Sequence, residues 1–205
     1  MMFQKTQKFI FLVLMCISLS SCFELVDTRD GVSGLDHRIF VTKDSFKGNF
    51  SGFSSPDDAC QAAAQAAGLQ RIYRAILSYS TTGGDASSLL GYGTGYIFII
   101  NKTGAVLNVT DKGFDGLWNS SLVSLSNAIN IDEYGDLISG AVNVFTGTKA
   151  DGTKSGSVLA DFCNNWKSLS AHPVRVGDAS QKDGKWVDNI DGDCAMDAHL
   201  YCISQ

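Results

Sequence analysis

Residues Leu19-Ser20-Ser21-Cys22 carry the clearest chemistry in the chain. Small residues lead into a cysteine at the end of an apolar run, as in a lipoprotein cleavage box whose Cys accepts a lipid. Lys5 and Lys8 supply a positive n-region, and Phe9 to Ile17 is an unbroken apolar stretch of nine residues. This is the three-part layout of a secretory signal, with a lipid-acceptor Cys in place of an ordinary cleavage site. The run is about half the ~20 residues that a spanning helix needs. Residues 1–21 are therefore expected to be removed, and Cys22 to become the acylated first residue. Several acyl chains on one Cys anchor stably, since each buried methylene contributes about 0.8 kcal/mol. The partner so implied is a membrane, outside the cytoplasm.

Of six cysteines, Cys16 lies in the signal and Cys22 takes the lipid, which leaves Cys60, Cys163, Cys194 and Cys202. An even number in an exported chain points to disulfides. No C-x-x-C or paired-His spacing points to zinc. Asp188, Asp191, Asp193 and Asp197 gather near Trp186 and Cys194 and are the candidates for a calcium site. Their order does not match the D-x-[DN]-x-[DN]-G calcium loop, so solvated turn acids are the preferred reading. Gly91-Tyr92-Gly93-Thr94-Gly95 has the composition of a phosphate loop but precedes a strand instead of opening a helix. It reads as a flexible or closely packed loop. His37, His172 and His199 stand in no hydrolase or metalloprotease motif. Asn49, Asn101, Asn108 and Asn119 begin N-x-[ST] sequons, which carry no special meaning in a bacterial lipoprotein. No nucleophile–base or metal constellation is present, so the expectation is a non-enzyme without cofactor.

The formal net charge is −5, and loss of Lys5 and Lys8 takes the processed chain to −7. No Lys/Arg run follows the signal. Nucleic acid and polyanions are poor partners for such a chain. The 184 residues left after residue 21 suffice for one domain with a real core.

The elements that must position these groups follow from local pattern. Residues 22–37 read as a tether, and 38–205 as the domain. Arg38 to Thr42 is a β-branched and aromatic strand. Ser55 caps a helix with Pro56 at its first position, Asp57 and Asp58 in its first turn, an Ala-rich body to Ala67 and Gly68 as its stop. Ile72 to Leu77 is a strand or a helical turn. Tyr96 to Ile100 is a strand, Asp111 to Gly116 a turn, and Ser121 to Ile129 a short helix. Beyond Ile131, short apolar runs alternate with turns at Asp132–Gly135, Asp151-Gly152, Asp183-Gly184 and Asp191-Gly192. Trp166 and Trp186, beside the cysteines, read as core.

One Cys in an early helix, two bracketing a loop region and the last in a final strand, Leu200-Tyr201-Cys202-Ile203, resemble the C-type-lectin-like fold, whose broad architecture the endostatin domain shares. Several segments are similar to a bacterial endostatin-like domain found in surface lipoproteins of Leptospira. They are Ile39 to Thr42, Asp58-Ala59-Cys60-Gln61 with its Ala-rich helix, Ile131 to Gly135, Phe145 to Thr153, Cys163 to Trp166, and Trp186, Cys194 and His199 to Cys202. The resemblance covers roughly Arg38 to Gln205. It implies an α+β domain with a mixed, mainly antiparallel sheet, an early helix and a loop-rich, stapled C-terminal half. It implies the nested bridges Cys60–Cys202 and Cys163–Cys194. It also implies an outer-membrane, surface-exposed adhesin for host matrix proteins such as laminin and fibronectin, for complement regulators or for plasminogen. No residue encodes such a ligand. The alternative is a carbohydrate-binding or structural envelope lipoprotein. Trp186-Val187-Asp188-Asn189 breaks the Trp-Asn-Asp order of calcium-dependent lectins, and the Glu-Pro-Asn sugar motif is missing. The endostatin zinc cluster has only His37 to match it and is not carried over.

Overall fold

The structure is a computed structural model and describes residues 35–118 and 124–205. Cys22, the expected signal and most of the expected tether lie outside the described residues. The fold is mixed α+β, mostly sheet with few helices. A five-stranded sheet runs in the order β2-β8-β1-β3-β4 and a three-stranded sheet in the order β5-β6-β7. In chain order the strands are β1 (His37–Val41), β2 (Tyr73–Ala75), β3 (Ile97–Ile100), β4 (Val106–Thr110), β5 (Asn143–Phe145), β6 (Pro173–Asp178), β7 (Ile190–Asp193) and β8 (Tyr201–Ser204). Among the described residues the right-handed α-helices are α1 (Pro56–Ala66) and the short α2 (Ala86–Leu90), beside short 3-10 turns.

The first and last strands are neighbours. β1 pairs antiparallel with β8 in the register Ile39–Ile203, Phe40–Cys202 and Val41–Tyr201. Both strands read as continuous apolar runs because both faces of the sheet are covered. Alternation sends Ile39, Val41, Tyr201 and Ile203 into one core with Ile97, Ile99, Val144 and Trp186. Phe40 and Cys202 go to the other face, where Ala59, Cys60 and Ala64 of α1 meet Phe50, Phe145 and Trp166. α1 begins as its sequence dictates: the Ser55 side chain accepts from Asp58 N, and Ala67 closes the last turn before Gly68 at φ +76°. Its register brings Cys60 to Cys202, and that bridge ties the helix to the central strand. The second bridge joins Cys163 to Cys194. These are the nested pairs that the family resemblance implies.

β1 starts at His37, and Asp36 is buried, so the end of the expected tether is part of the fold. Within the segment Ile72–Leu77, Tyr73–Ala75 forms the strand β2 and no helical turn is present. Two local expectations are corrected. The described part of the expected helix Ser121–Ile129, residues 124–129, has no helical turn. Its donors are spent across the fold instead, Leu125 N on Lys182 O at 2.7 Å and Ser126 N on Val109 O at 2.9 Å. Asp191-Gly192 is not a turn but lies inside β7, with Gly192 opposite Val174. A Cβ on Gly192 would run into the Met196 sulfur and Val176, so the glycine there serves close packing.

Candidate functional site

The calcium candidates are held by protein partners. Arg175, on β6, faces two of them: its Nη2 is 3.4 Å from Asp191 Oδ1, and its Nε is 3.0 Å from Asp188 Oδ1. That Nε contact lies off the N–H direction and makes no aligned hydrogen bond, so it is an ion pair only. Asp188 also accepts from Ala150 N. Asp193 turns back on its own chain and accepts from Ala195 N at 2.7 Å and Met196 N at 2.9 Å. Asp197 pairs loosely with Lys47 at the surface. Asp188 and Asp191 thus share the cation of Arg175, while Asp193 is taken up by its own turn and Asp197 by Lys47. Among the described residues, no group of three His, Cys, Asp or Glu is placed to hold a metal ion.

Two of the histidines also have structural partners, and His172 is exposed. His37 Nδ1 lies 2.8 Å from Ser204 O, and His199 Nδ1 lies 2.7 Å from Thr42 O, so each ties β1 or its continuation to the region of β8. Trp166 and Trp186 are buried, and the Tyr201 hydroxyl donates to Trp186 O at 2.8 Å. Trp118 stacks on Trp186 with ring centroids 5.8 Å apart. The glycine-rich loop is a packed one. Gly93 O accepts from Phe114 N and Gly95 O from Gly113 N, and a Cβ on Gly93 would strike the Phe114 ring. Four consecutive residues, Cys163 to Trp166, have φ between +50° and +63°, a left-handed turn between the second bridge and the core. The indole of Trp166 donates to Ser78 O, and Asn165 Oδ1 accepts from Ser80 N. Those bonds hold a conformation that L-residues disfavour.

A concave site lies elsewhere. β1 and β3 run parallel but pair only at His37–Ile97 and Arg38–Phe98. Beyond that point they separate, and the turn Ile131–Leu137 enters the split. Val41 N donates to Ile131 O at 3.0 Å, and Lys102 N, after β3, donates to Gly135 O at 2.7 Å. Asp132 Oδ1 accepts from Tyr134 N and Asp136 N and shapes the turn, while Gly135 takes φ +87° against the Asn101–Lys102 backbone. A cavity of about 370 Å³ remains beside the turn, lined among others by Arg38, Leu69, Lys102, Glu133 and Tyr134.

Its polar lining is fixed. The buried Arg38 guanidinium donates from Nη2 to Glu133 O at 3.1 Å. Glu133 Oε2 accepts from Lys43 N at 2.8 Å, and burial pushes its carboxyl above the usual range. At the mouth, Lys102 Nζ reaches Asp136 Oδ1 at 2.8 Å and Lys43 Nζ stands 5.2 Å from the centre of the Tyr134 ring. This arrangement offers cations, an aromatic edge and backbone groups for recognition. Among the described residues, no Ser, Cys or His lines it. The sequence marks Asp132–Gly135 as a turn and as part of a resembling segment, but not as part of a site. Arg38 and Glu133 are 95 residues apart, and no local spacing joins them. No protein-family model matches this chain, and no curated protein matches it.

Proposed function

We propose that this chain is a lipid-anchored bacterial surface protein whose C-type-lectin-like, endostatin-like domain works by binding, as an adhesin for host extracellular-matrix or complement-regulatory proteins. The observation that carries this reading is the closure of the domain on itself. The strands from its two ends lie side by side, and Cys60–Cys202 locks them at the central strand. Between them a long, weakly regular stretch is held by the nested Cys163–Cys194 bridge. A frame of this kind can present loops without relying on their own hydrogen bonding. Anchoring at Cys22 rests on the charged, apolar and Leu-Ser-Ser-Cys segments in order. The choice of ligand class rests on the segment resemblance, which is an analogy of fold and not of site.

The test has two parts. Intact cells treated with protease should lose the domain if it is displayed outward, and Cys22→Ala should abolish its membrane retention. The lipidated protein should then bind at least one of immobilised laminin, fibronectin, a complement regulator or plasminogen, with the reduced chain inactive. Binding to none of these, together with calcium-dependent retention on a glycan array, would replace the adhesin reading with the carbohydrate-binding one.

A further inference from the structure

The strand order places one set of exposed apolar side chains at a single end of the main sheet. β8 runs antiparallel to β1 and β2, and β1 runs parallel to β3. The starts of β2, β1 and β3 and the end of β8 therefore lie in one row, about 14 Å wide for three strand spacings. Just beyond those ends sit Ile72, Leu35 and Tyr96, with Tyr92 in the packed glycine loop that leads into β3. Ile72 is 67% exposed, Leu35 68%, Tyr96 56% and Tyr92 99%.

The row is braced from below. Asp36 Oδ1 accepts from Tyr96 N at 3.0 Å, His37 N donates to Tyr96 O at 2.8 Å, and Ile72 O accepts from Gln205 N at 2.9 Å. The Arg71 guanidinium bonds the Asp36 carbonyl and so joins the β2 side to the β1 side. Gly95, at φ +99°, lies so close to the Leu35 carbonyl that a Cβ there would collide with it. Single exposed apolar residues are ordinary on a protein surface. Here four collect at the end from which the chain leads back to Cys22.

We propose that this end of the sheet is a membrane-facing surface, on which Leu35, Ile72, Tyr92 and Tyr96 sit in the headgroup layer of the bilayer that holds the lipid. The inference rests on the anchoring at Cys22 proposed above. Thirteen residue steps separate Cys22 from Leu35, so the row is never more than about 45 Å of extended chain from the anchored Cys. An attachment that short turns a weak surface contact into an intramolecular one at high effective concentration. Two Tyr and two aliphatic side chains suit the boundary, since Tyr places an apolar ring inward and a hydroxyl in the wet layer. The processed chain is acidic overall, so attraction to anionic lipid is not the driving force. In this orientation Ile131, bonded to Val41 at the far end of β1, stands away from the bilayer by about 20 Å, the length of six strand steps.

The test uses the full lipidated chain in vesicles of phosphatidylethanolamine and phosphatidylglycerol, with and without bromine on the acyl chains near the headgroups. Three chains are compared: Tyr92→Trp, Tyr96→Trp and Leu137→Trp. The fluorescence added at positions 92 and 96 should fall about twofold with brominated lipid, as expected for side chains about 5–10 Å into the interface. That added at position 137 should not change. Adding Leu35→Ser and Ile72→Ser to the Tyr96→Trp chain should relieve the quenching while the chain still floats with the vesicles. Flotation with no more quenching at 92 and 96 than at 137 overturns the proposal and leaves the anchoring intact. So does a blue-shifted but unquenched signal at 92, which would mean that the row meets another protein surface. A chain with intact Cys22 that fails to float overturns both.

Discussion

Glu133 and Asp178 are both nearly buried acids, and their environments push them in opposite directions. Burial is the main influence on Glu133 and raises it, since its side chain has only the Lys43 amide and its own backbone to favour the charge. Its proton is held more tightly in the folded chain than in the unfolded one. Stability from this group is therefore complete below the ordinary carboxylate value of about 4.3 and falls as pH rises through the raised folded value. Glu133→Gln keeps an acceptor for Lys43 N and removes the buried charge. It should melt higher than the parent at pH 7, with the difference gone at about pH 4, as followed by thermal denaturation across pH. Burial also works against Asp178, but donors from Ser180, Val142 and Gln181 outweigh it and hold the carboxyl below the usual range. Its contribution is present above about pH 3.9 and is lost as pH falls through the lowered folded value. Asp178→Ala should cost about 1–3 kcal/mol at pH 7, because it strands the amides of Val142 and Ser180. In denaturant titrations the gap should narrow toward acid.

Among the elements, the turn Ile131–Leu137 decides the shape of the candidate site. It occupies a split that exists because β1 and β3 pair over only two residues. The left-handed geometry of Gly135 and its approach to Lys102 N make it the residue on which the turn depends. Gly135→Ala adds a Cβ 2.7 Å from that nitrogen at a φ of +87°. A loss of about 1–3 kcal/mol is expected, with faster amide exchange at Lys102 and Val41, whose bonds to the turn would loosen. Unchanged exchange at both amides would show that the turn is not held in this way. The acids around Cys194 are settled at the same scale. β7 carries Asp191 beside Arg175, and the bend after it consumes Asp193. A cation entering there would have to displace an ion pair. Millimolar calcium added to EDTA-treated protein should leave the melting temperature unchanged. A clear rise, abolished by Asp188→Ala or Asp193→Ala, would show that these carboxylates do form a site.

At the scale of the molecule, the two bridges act on different parts of the chain. Cys60–Cys202 spans a sequence separation of 142 and fastens α1 to the sheet, whereas Cys163–Cys194 spans 31 and fastens the left-handed turn to the segment after β7. In the chain-entropy account the first restricts the unfolded ensemble by about 5 kcal/mol and the second by about 3.7. The Cys60→Ser/Cys202→Ser pair of substitutions should therefore lower the melting temperature by roughly 10–20 °C, at about 2–4 °C per kcal/mol for a domain of this size. Cys163→Ser/Cys194→Ser should cost less, and its damage should centre on amide protection around Trp166 and Gly48, where the bridge packs. Equal global loss from both pairs would contradict this division of roles.

What the sequence settled by itself is local or covalent. Ser55, Pro56 and the Ala-rich run determine α1, because capping and propensity act within one turn. The apolar runs around Phe40 and Tyr201 determine strands buried on both faces. The proposed processing signal likewise rests on contiguous residues alone, the Leu-Ser-Ser-Cys ending and its apolar core. Tertiary structure decided everything that depends on which distant segments meet. Residues 124–129 are not helical because their amides find Lys182 and Val109. Asp191-Gly192 is strand because Val174 lies opposite. Arg38 and Glu133 share a cavity only because β1 and β3 part and a turn from the middle of the chain fills the gap. The row of Leu35, Ile72, Tyr92 and Tyr96 exists only through strand order. Each of these is a long-range contact, and no short window of residues carries the energy of a partner that lies outside it.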